Sequence, residues 1–361
     1  MKKIIDKRFR ILVINPGSTS TKVSVYENEE ELVSATIRHQ RSELDKAGGV
    51  IAQKGMRTAC VMDFLNENGI ALDSLDAVAG RGGLLEPIES GTYIVNDRML
   101  GDLIGASAEV HASALGGIIA REIGDAASLP SYVVDPIVVD ELAQVAKLTG
   151  IPGIERRSVF HALNQKAVAR RCAADMGRSY EDCRFIVAHM GGGVSVGAHR
   201  YGRVVDVNDA LSGEGPFTPE RCGAVPALPL IEMCFSGAYT EQEIKDMVLK
   251  TGGMYAYLGT NDLFKCERLI MEGDEYAALV LESMAYQVSK EIGSMVAALE
   301  GRVDAIILTG GMARSARFTG CIKQHAGLIA PVKLYPGEDE MLALTQGALR
   351  VLRGEERAVA Y

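Results

Sequence analysis

The chain has 361 residues, 47% of them hydrophobic and 24% charged, with a formal net charge of -9 at pH 7. This length exceeds the size at which one hydrophobic core stops growing and predicts a globular protein of two domains. The acidic balance argues against nucleic acid and anionic membranes as partners, and no apolar run approaches a membrane helix or a signal peptide, so we expect a cytoplasmic protein.

The first predicted element is a β-hairpin over residues 10–26. Residues 11–14 form the apolar run of a buried strand, Asn15-Pro16-Gly17 is a turn sequence, and alternating valines mark the returning strand. The hydroxyl-rich turn offers hydrogen-bond donors to an anion, and Lys22 adds a positive charge. The hairpin is therefore either a phosphate-binding element or an ordinary hairpin rich in serine and threonine.

Two patterns of the first half recur in the second half in the same order. The hairpin returns over residues 185–207, and the segment DAVAGRGG at residues 76–83 has a counterpart, DAIILTGG, at residues 304–311. Both counterparts are strands that follow a helix-like stretch and end in paired glycines. This recurrence predicts a duplicated α/β fold with a ligand site in the cleft between its halves.

Further elements are predicted between these strands. A strand is expected over residues 131–134. Helices are expected over residues 55–68, 115–123, 138–148, 161–176, 240–250, 275–300 and 342–352. Chain breakers at residues 148–153 indicate a domain junction at that point.

Other motifs narrow the class of protein. The seven cysteines are scattered without a CxxC pair, which indicates free thiols and argues against a metal site built on sulfur. Cys222 is interpreted as a small hydrophobic residue rather than a reactive thiol. The chain has no P-loop, no dinucleotide fingerprint and no protein-kinase motifs.

Several strings carry a resemblance to a known family. They are VINPGSTSTK, FHALNQKAVAR, AHMGGGVSVGAH, GTNDL, LTGGMARS and GEDEMLALTQGALRVL. Two phosphate hairpins and a strand ending in Gly-Gly resemble the superfamily of acetate kinase, hexokinase, Hsp70 and actin. Within this superfamily, the motifs are similar to those in the sequences of butyrate kinases, which belong to the acetokinase family. The similarity extends over nearly the whole chain.

The resemblance implies an architecture. Duplicated ribonuclease H-like domains of the actin/hexokinase type are expected to flank an interdomain nucleotide cleft. Residues 1–149 would form an N-terminal domain for the acyl substrate and phosphate, with a C-terminal helix over residues 341–361 packing back on it. Residues 150–340 would form the nucleotide-binding domain, and the protein would be a homodimer or a higher homo-oligomer.

The resemblance also implies a reaction, in which ATP and butanoate give ADP and butanoyl phosphate reversibly, with Mg²⁺. A carboxylic acid is already ionised at pH 7, so the acceptor needs no general base and needs cations instead. The alternatives are another short-chain carboxylate kinase, acting on isobutyrate, propionate or acetate, and a non-metabolic ATPase of the actin or Hsp70 type. Arg81 and Arg221 distinguish the last alternative, because such an ATPase needs no carboxylate pocket.

Site residues follow from the resemblance, position by position. The expected catalytic residues are Arg81, Asp135, His161 and Arg221. The expected nucleotide and phosphate contacts are Ser18, Ser20, Lys22, His189, Gly192, Gly193, Asp262, Gly310 and Gly311. The expected contacts with the acyl substrate are Arg81, Gly83 and His111, and the expected magnesium positions are Asn15 and Glu340.

Several of these residues also have an ordinary structural interpretation. The two arginines would be surface ion pairs, His161 a capping or core residue, Asp135 a cap, Glu340 a solvated acid, and the glycines tight turns. Gly83 carries a further expectation, because acetate kinases typically have a valine at this place. Its missing side chain is predicted to admit an acyl chain longer than acetate.

Overall fold

The computed structural model describes residues 7–105 and 112–361. The chain divides into two compact units: unit 1 is Met1–Val139 with Asp339–Tyr361, and unit 2 is Asp140–Glu338. His111, predicted to contact the substrate, lies outside the described residues.

Groups of strands and groups of helices follow one another along the described chain. The strands are β1 (Arg10–Pro16), β2 (Ser20–Glu27), β3 (Glu30–Arg38), β4 (Ala77–Gly80), β5 (Thr92–Ile94), β6 (Ser131–Val134), β7 (Arg184–Met190), β8 (Val194–Arg200), β9 (Arg203–Val207), β10 (Ala305–Gly310), β11 (Val332–Pro336) and β12 (Val359–Ala360). The helices are α1 (Arg41–Lys46), α2 (Lys54–Glu67), α3 (Asp97–Gly105), α4 (Ala114–Ala127), α5 (Gln144–Lys147), α6 (Ala162–Asp175), α7 (Ala227–Phe235), α8 (Glu241–Leu249), α9 (Gly253–Leu258), α10 (Leu263–Met271), α11 (Glu275–Ala298), α12 (Ala316–Ala326) and α13 (Glu340–Leu352).

Unit 1 is built on a sheet in the order β12-β5-β6-β4-β1-β2-β3. The hairpin β1-β2 is antiparallel and places Asn15 opposite Lys22, whereas β4 runs parallel to β1 with Gly80 beside Ile14. Apolar residues of β1, β4, α2 and α4 form its core. Because β1 and β4 end side by side, the residues that follow them, including Arg81, lie at one edge of the sheet.

Unit 2 is built on a sheet in the order β11-β10-β7-β8-β9. Its strands β7, β8 and β9 are antiparallel, and β10 runs parallel to β7, as β4 does to β1. The long helix α11 packs on this sheet and supplies much of its core. The order β6-β4-β1-β2-β3 of unit 1 is thus repeated, and the predicted duplicated α/β fold is confirmed.

One predicted helix is wrong. Residues 138–148 contain only the short α5, because the chain before it is extended. The Ala143 amide donates to the Val205 carbonyl at 2.9 Å, and Asp140 Oδ1 accepts from the Leu142 amide at 3.1 Å. These local and strand-like bonds replace the bonds of a helix.

The structure also bears on the cysteines and on the search for membrane-spanning helices. All seven cysteines are free thiols. Throughout residues 7–105 and 112–361, every helix is too short or too polar to cross a membrane.

Candidate active site

Three of the predicted residues of unit 1 meet at one edge of its sheet. Arg81 Nη1 lies 2.6 Å from Glu340 Oε1 and donates to Oε2 at 2.7 Å. Asn15 Nδ2 donates to the same Oε2 at 2.6 Å. Glu340 is the first residue of α13, where the helix dipole favours a carboxylate. The structure therefore brings the predicted substrate arginine and both predicted magnesium positions into one cluster.

The backbone of Arg81 is fixed on two sides. Its amide donates to the Ile14 carbonyl at 3.1 Å, and its carbonyl accepts from the Gly117 amide at 3.0 Å. A Cβ on Gly116 would lie 2.6 Å from Arg81 N, so α4 approaches this loop as closely as a glycine permits. The Arg81 side chain itself remains 25% exposed. A cation is thus held in a defined place while open to a ligand.

The packing around Gly83 contradicts the expectation that its missing side chain makes room for a longer acyl chain. A Cβ at this position would lie 2.6 Å from Ala114 Cβ and 2.8 Å from Ala114 Cα. The missing side chain is therefore explained by the close packing of the loop on α4, and the space beside it is already filled. That Gly83 contacts the substrate stays a prediction, but its lack of a side chain does not by itself create room for a longer acyl chain.

The hydroxyl-rich turn between β1 and β2 is tight and open to solvent. The Gly17 amide donates to the Ser20 carbonyl at 2.7 Å, which closes the turn. Ser18 and Lys22 are exposed and Ser20 is partly buried. Serine hydroxyls at the turn and a lysine near the start of β2 are suited to an anion, as the sequence predicts.

A buried arginine that sequence reasoning missed supports this turn from behind. Arg57, on α2, donates to the carbonyls of Ser20 at 2.9 Å and Ser18 at 3.3 Å. It also donates to Thr21 Oγ1 at 3.0 Å and to Gln53 Oε1 at 2.9 Å. One sequence signal exists, because Arg57 lies on the same helical face as the buried Val61, Phe64 and Leu65.

Among the described residues, no carboxylate lies within ion-pairing distance of Arg57. Its acceptors are all neutral, and no ion pair joins it to a carboxylate within the described part of the chain. Burial lowers the pKa of its guanidinium, which nevertheless stays protonated at neutral pH. A buried cation without a counter-ion is unfavourable, so an anion bound at the turn would be favoured.

Asp135 holds a second turn of unit 1. It is buried, and its Oδ1 accepts from Ser90 Oγ at 2.6 Å and from the Gly91 amide at 2.9 Å. Its backbone has a φ of +38°, a conformation that aspartate adopts more readily than most residues. These bonds give Asp135 a structural role, and its predicted role in orienting an arginine or a metal-bound water stays a prediction.

In unit 2, Arg221 lies against the glycine turn between β7 and β8. Its Nη1 donates to the Ala210 carbonyl, and a side chain on Gly193 would overlap this guanidinium. Thr218 Oγ1 donates to the Gly192 carbonyl at 2.7 Å and accepts from the Arg221 amide at 3.0 Å. Burial lowers the pKa of the Arg221 guanidinium. Gly192, Gly193 and Arg221 therefore form one unit around the predicted phosphate turn.

Two of the three predicted histidines lie beside the same turn. The rings of His161 and His189 stack with centroids 3.8 Å apart and an angle of 12° between their planes. His161 Nδ1 lies 2.9 Å from Ser195 Oγ, and His189 Nδ1 lies 2.7 Å from Asn164 Oδ1. His161 immediately precedes α6, so it begins a helix as expected, but its side chain makes no cap bond to that helix. The structure brings together His161, His189 and the glycine turn.

The remaining predicted nucleotide contacts have mixed explanations. Asp262 caps α10, its Oδ1 accepting from the amides of Phe264 at 2.9 Å and Lys265 at 3.3 Å. Gly310 has a φ of +88°, and a side chain on it would overlap the Met190 backbone. A Cβ on Gly311 would meet no atom of residues 7–105 or 112–361 within 4 Å. Packing thus accounts for the glycine at 310 but not for the glycine at 311.

Comparison with known families and structures identifies what this arrangement resembles. The acetokinase family profile matches residues 143–324. The structure resembles the acetate kinase of Porphyromonas gingivalis with a TM-score of 0.79 at 18% identity, over 95% of this chain and 100% of that one. It resembles a propionate kinase of Francisella tularensis subsp. tularensis with a TM-score of 0.74 at 20% identity, over 94% and 98%. It also resembles the acetate kinase of Entamoeba histolytica with a TM-score of 0.78 at 16% identity, over 95% and 100%.

Proposed function

Because this chain belongs to the acetokinase family, we propose that it is a butyrate kinase, which transfers the γ-phosphoryl group of ATP reversibly to butanoate. Membership makes the enzyme a phosphotransferase with a carboxyl group as acceptor. The choice of butanoate is supported by strings such as LTGGMARS and VINPGSTSTK, which are similar to butyrate kinases. The cytoplasmic location and the homo-oligomeric state stay predictions.

The observation that carries the proposal is the immobilised cation at Arg81. A carboxylate acceptor is ionised at pH 7, so catalysis requires positioned positive charge rather than a base. Arg81 supplies a fixed, accessible guanidinium, and its pairing with Glu340 keeps that guanidinium in place before the substrate arrives. In the proposed mechanism the substrate carboxylate binds the Arg81 guanidinium, which orients one oxygen for attack on phosphorus.

The phosphates are assigned to the two turns. In unit 1, Ser18, Ser20 and Lys22 donate to phosphate oxygens, with the Arg57 charge behind them. In unit 2, Arg221 and His161 are assigned to the transferred phosphoryl group, where negative charge spreads over the equatorial oxygens. Both residues are fixed by hydrogen bonds within unit 2, so little reorganisation is needed when charge develops.

Magnesium is assigned to Asn15 and Glu340. An amide oxygen and a carboxylate are hard oxygen donors, and Mg²⁺ needs few such ligands because it keeps several waters. The two side chains are joined by a bond of 2.6 Å, and Asn15 uses its amide nitrogen for that bond, so its oxygen points elsewhere. When bound, Mg²⁺ supplies charge neutralisation for the phosphate oxygens.

Shorter acids form the second candidate. One similar structure is a propionate kinase and two are acetate kinases, and the filled space beside Gly83 removes a steric argument for butanoate. A non-metabolic ATPase of this superfamily would not need Arg81.

Trapping of acyl phosphate by hydroxylamine, with MgATP and straight-chain acids from acetate to hexanoate, tests the proposal. We expect the rate to be highest with butanoate and to fall about 100-fold in Arg81→Ala, because a charge-assisted contact to the substrate is lost. Arg353→Ala is the matched control, since Arg353 also pairs with a glutamate, Glu29, at 2.6 Å. A maximum with acetate or propionate would refute the butanoate preference, and no product with any acid would refute the carboxylate kinase.

A further inference from the structure

A chain of hydrogen bonds runs from His161 into the interior of unit 2. Ser195 Oγ lies 2.9 Å from His161 Nδ1 and accepts from Gln165 Nε2 at 2.8 Å. Gln165 Oε1 lies 2.9 Å from His199 Nε2, and the Tyr180 hydroxyl lies 2.7 Å from His199 Nδ1. The side chains of Gln165, Ser195 and His199 are fully buried, so water does not compete for these bonds.

The direction of the inner bonds is fixed by a backbone carbonyl. Gln165 Nε2 also lies 2.9 Å from the Ser195 carbonyl oxygen, which can only accept. The NH₂ group of Gln165 therefore faces Ser195, and its oxygen faces His199. It follows that His199 carries its proton on Nε2 and accepts at Nδ1 from the Tyr180 hydroxyl. Burial keeps the pKa of His199 well below its usual range, which agrees with a neutral ring.

The direction of the outer bond follows from the valence of the Ser195 hydroxyl. Ser195 Oγ accepts a hydrogen bond from the Gln165 NH₂ group at 2.8 Å and a weaker one from the His161 backbone amide at 3.5 Å. Its single proton needs an acceptor, and in the described part of unit 2 His161 Nδ1 is the acceptor within reach. His161 Nδ1 is therefore unprotonated, and a neutral ring carries its proton on Nε2.

The neighbouring His189 is fixed in the opposite way. Asn164 Nδ2 donates to the Glu338 carbonyl at 2.7 Å, so Asn164 Oδ1 is the atom that faces His189 Nδ1. His189 Nδ1 therefore carries a proton. In the two stacked rings, Nδ1 of His161 accepts a hydrogen bond, whereas Nδ1 of His189 donates one.

We infer that Tyr180, His199, Gln165 and Ser195 form a relay that holds His161 as the Nε2–H tautomer, a hydrogen-bond donor for a phosphoryl oxygen. Ser195 and Gln165 are thus positioning residues, and His161 is the group that meets the substrate. The role of the tautomer in catalysis rests on the proposed function, whereas the tautomer itself rests on the hydrogen bonds alone.

A long-range ¹H–¹⁵N correlation spectrum of the full chain with ¹⁵N-labelled histidine tests the tautomer directly. The signals are assigned with the single variants His161→Gln, His189→Gln and His199→Gln. We expect a proton on Nε2 of His161, on Nδ1 of His189 and on Nε2 of His199. A proton on Nδ1 of neutral His161 would overturn the inference.

Two variants test the relay. In Ser195→Ala we expect the His161 signals to show a mixture of tautomers. We expect kcat to fall roughly ten-fold and the KM for ATP to stay within about two-fold of the wild-type value. This loss of kcat is smaller than the roughly 10²–10³-fold loss that follows removal of a hydrogen-bond donor to the transition state. In Gln165→Glu the Ser195 proton turns toward the carboxylate, so His161 should become protonated on Nδ1. An unchanged His161 spectrum in Ser195→Ala would contradict the relay, even if Gln165→Glu does not fold.

The matched control is Ser289→Ala. Ser289 is a buried serine of unit 2 whose Oγ donates to the Ala285 carbonyl at 2.8 Å, and its removal should leave the His161 signals and kcat unchanged. The two proposals fail separately. An Nε2–H tautomer without acyl phosphate formation would overturn the proposed function, and acyl phosphate formation with an Nδ1–H tautomer would overturn the relay.

Discussion

Three predicted site glycines of unit 2 differ in what a side chain at their position would meet. A side chain on Gly310 would overlap the Met190 backbone, and one on Gly193 would overlap the Arg221 guanidinium. A Cβ on Gly311, by contrast, would meet no atom of the described residues within 4 Å, and its φ is not positive. The described residues give no reason for glycine at 311, and its predicted contact with the nucleotide would be one.

Substitution Gly311→Ala tests this reason. We expect an unchanged melting temperature, because the added methyl group meets open space, and a KM for ATP raised about five-fold or more, equivalent to about 1 kcal/mol of lost binding. Gly320→Ala is the control, since Gly320 lies on α12 and is equally open. An unchanged KM for ATP in Gly311→Ala would remove Gly311 from the nucleotide site.

Sequence patterns suggest a site role for some residues and give no signal for others. Lys22 and the paired glycines stand in short motifs whose chemistry is local, so a site role could be predicted for them from the sequence. Ser195 and Gln165 are 30 positions apart, and neither stands in a pattern typical of a histidine partner. Their roles arise only when β8 packs beside α6, a contact that no local rule predicts.

At the scale of elements, α2 and the β1–β2 hairpin work as a pair. The helix places Arg57 beneath the turn, where its donors hold two backbone carbonyls in position. His39 contributes to the same network, with Nε2 2.8 Å from Thr21 Oγ1, and burial together with Arg57 lowers its pKa. His39 thus has a structural role in this network.

Substitution Arg57→Met separates the two effects of this pair. It removes the charge and leaves the Ser18 and Ser20 carbonyls without their donor, so the free energy of unfolding should fall by about 3 kcal/mol. The KM for ATP should rise as well, because the positive field at the turn is lost. Arg57→Lys keeps the charge but not the planar fork, and should retain more ATP affinity than Arg57→Met. Equal KM values in the wild type and both variants would contradict a role for this charge.

The predicted helices differ in how well they match the structure. The predicted bounds of α2, α6 and α11 lie within two residues of those found. Helix α7 escaped prediction because ALPLIEMCF is apolar almost throughout and all its residues are at least partly exposed. The false helix over residues 138–148 failed because Asp140 and Ala143 bond outside a helical pattern.

At the scale of the whole molecule, the chain leaves unit 1 at Val139 and re-enters it at Asp339. The returning segment adds β12 to the sheet beside β5 and packs α13 on it. Gly347 allows this approach, because a side chain there would overlap Val134. The family profile covers residues 143–324, which lie within unit 2. The duplication of the fold could be predicted from the sequence motifs that recur in its two halves.

Deletion of residues 339–361 tests how far unit 1 depends on the returning segment. We expect calorimetry to show a cooperative transition for unit 2, which is continuous in sequence, and to lose the transition of unit 1. Glu340→Gln is the control, because it removes the ion pair with Arg81 but leaves α13 in place. Two transitions in the deleted protein would show that unit 1 folds without the segment.

The late return of the chain also determines when the Arg81 cluster can form during synthesis. A ribosome makes Asn15 and Arg81 first, then all of unit 2, and only then Glu340. A nascent chain halted anywhere before residue 340 therefore carries Arg81 without its carboxylate. The contact that fixes the Arg81 side chain is thus among the last to be made, and a prematurely terminated product is expected to lack the ordered cluster of Asn15, Arg81 and Glu340.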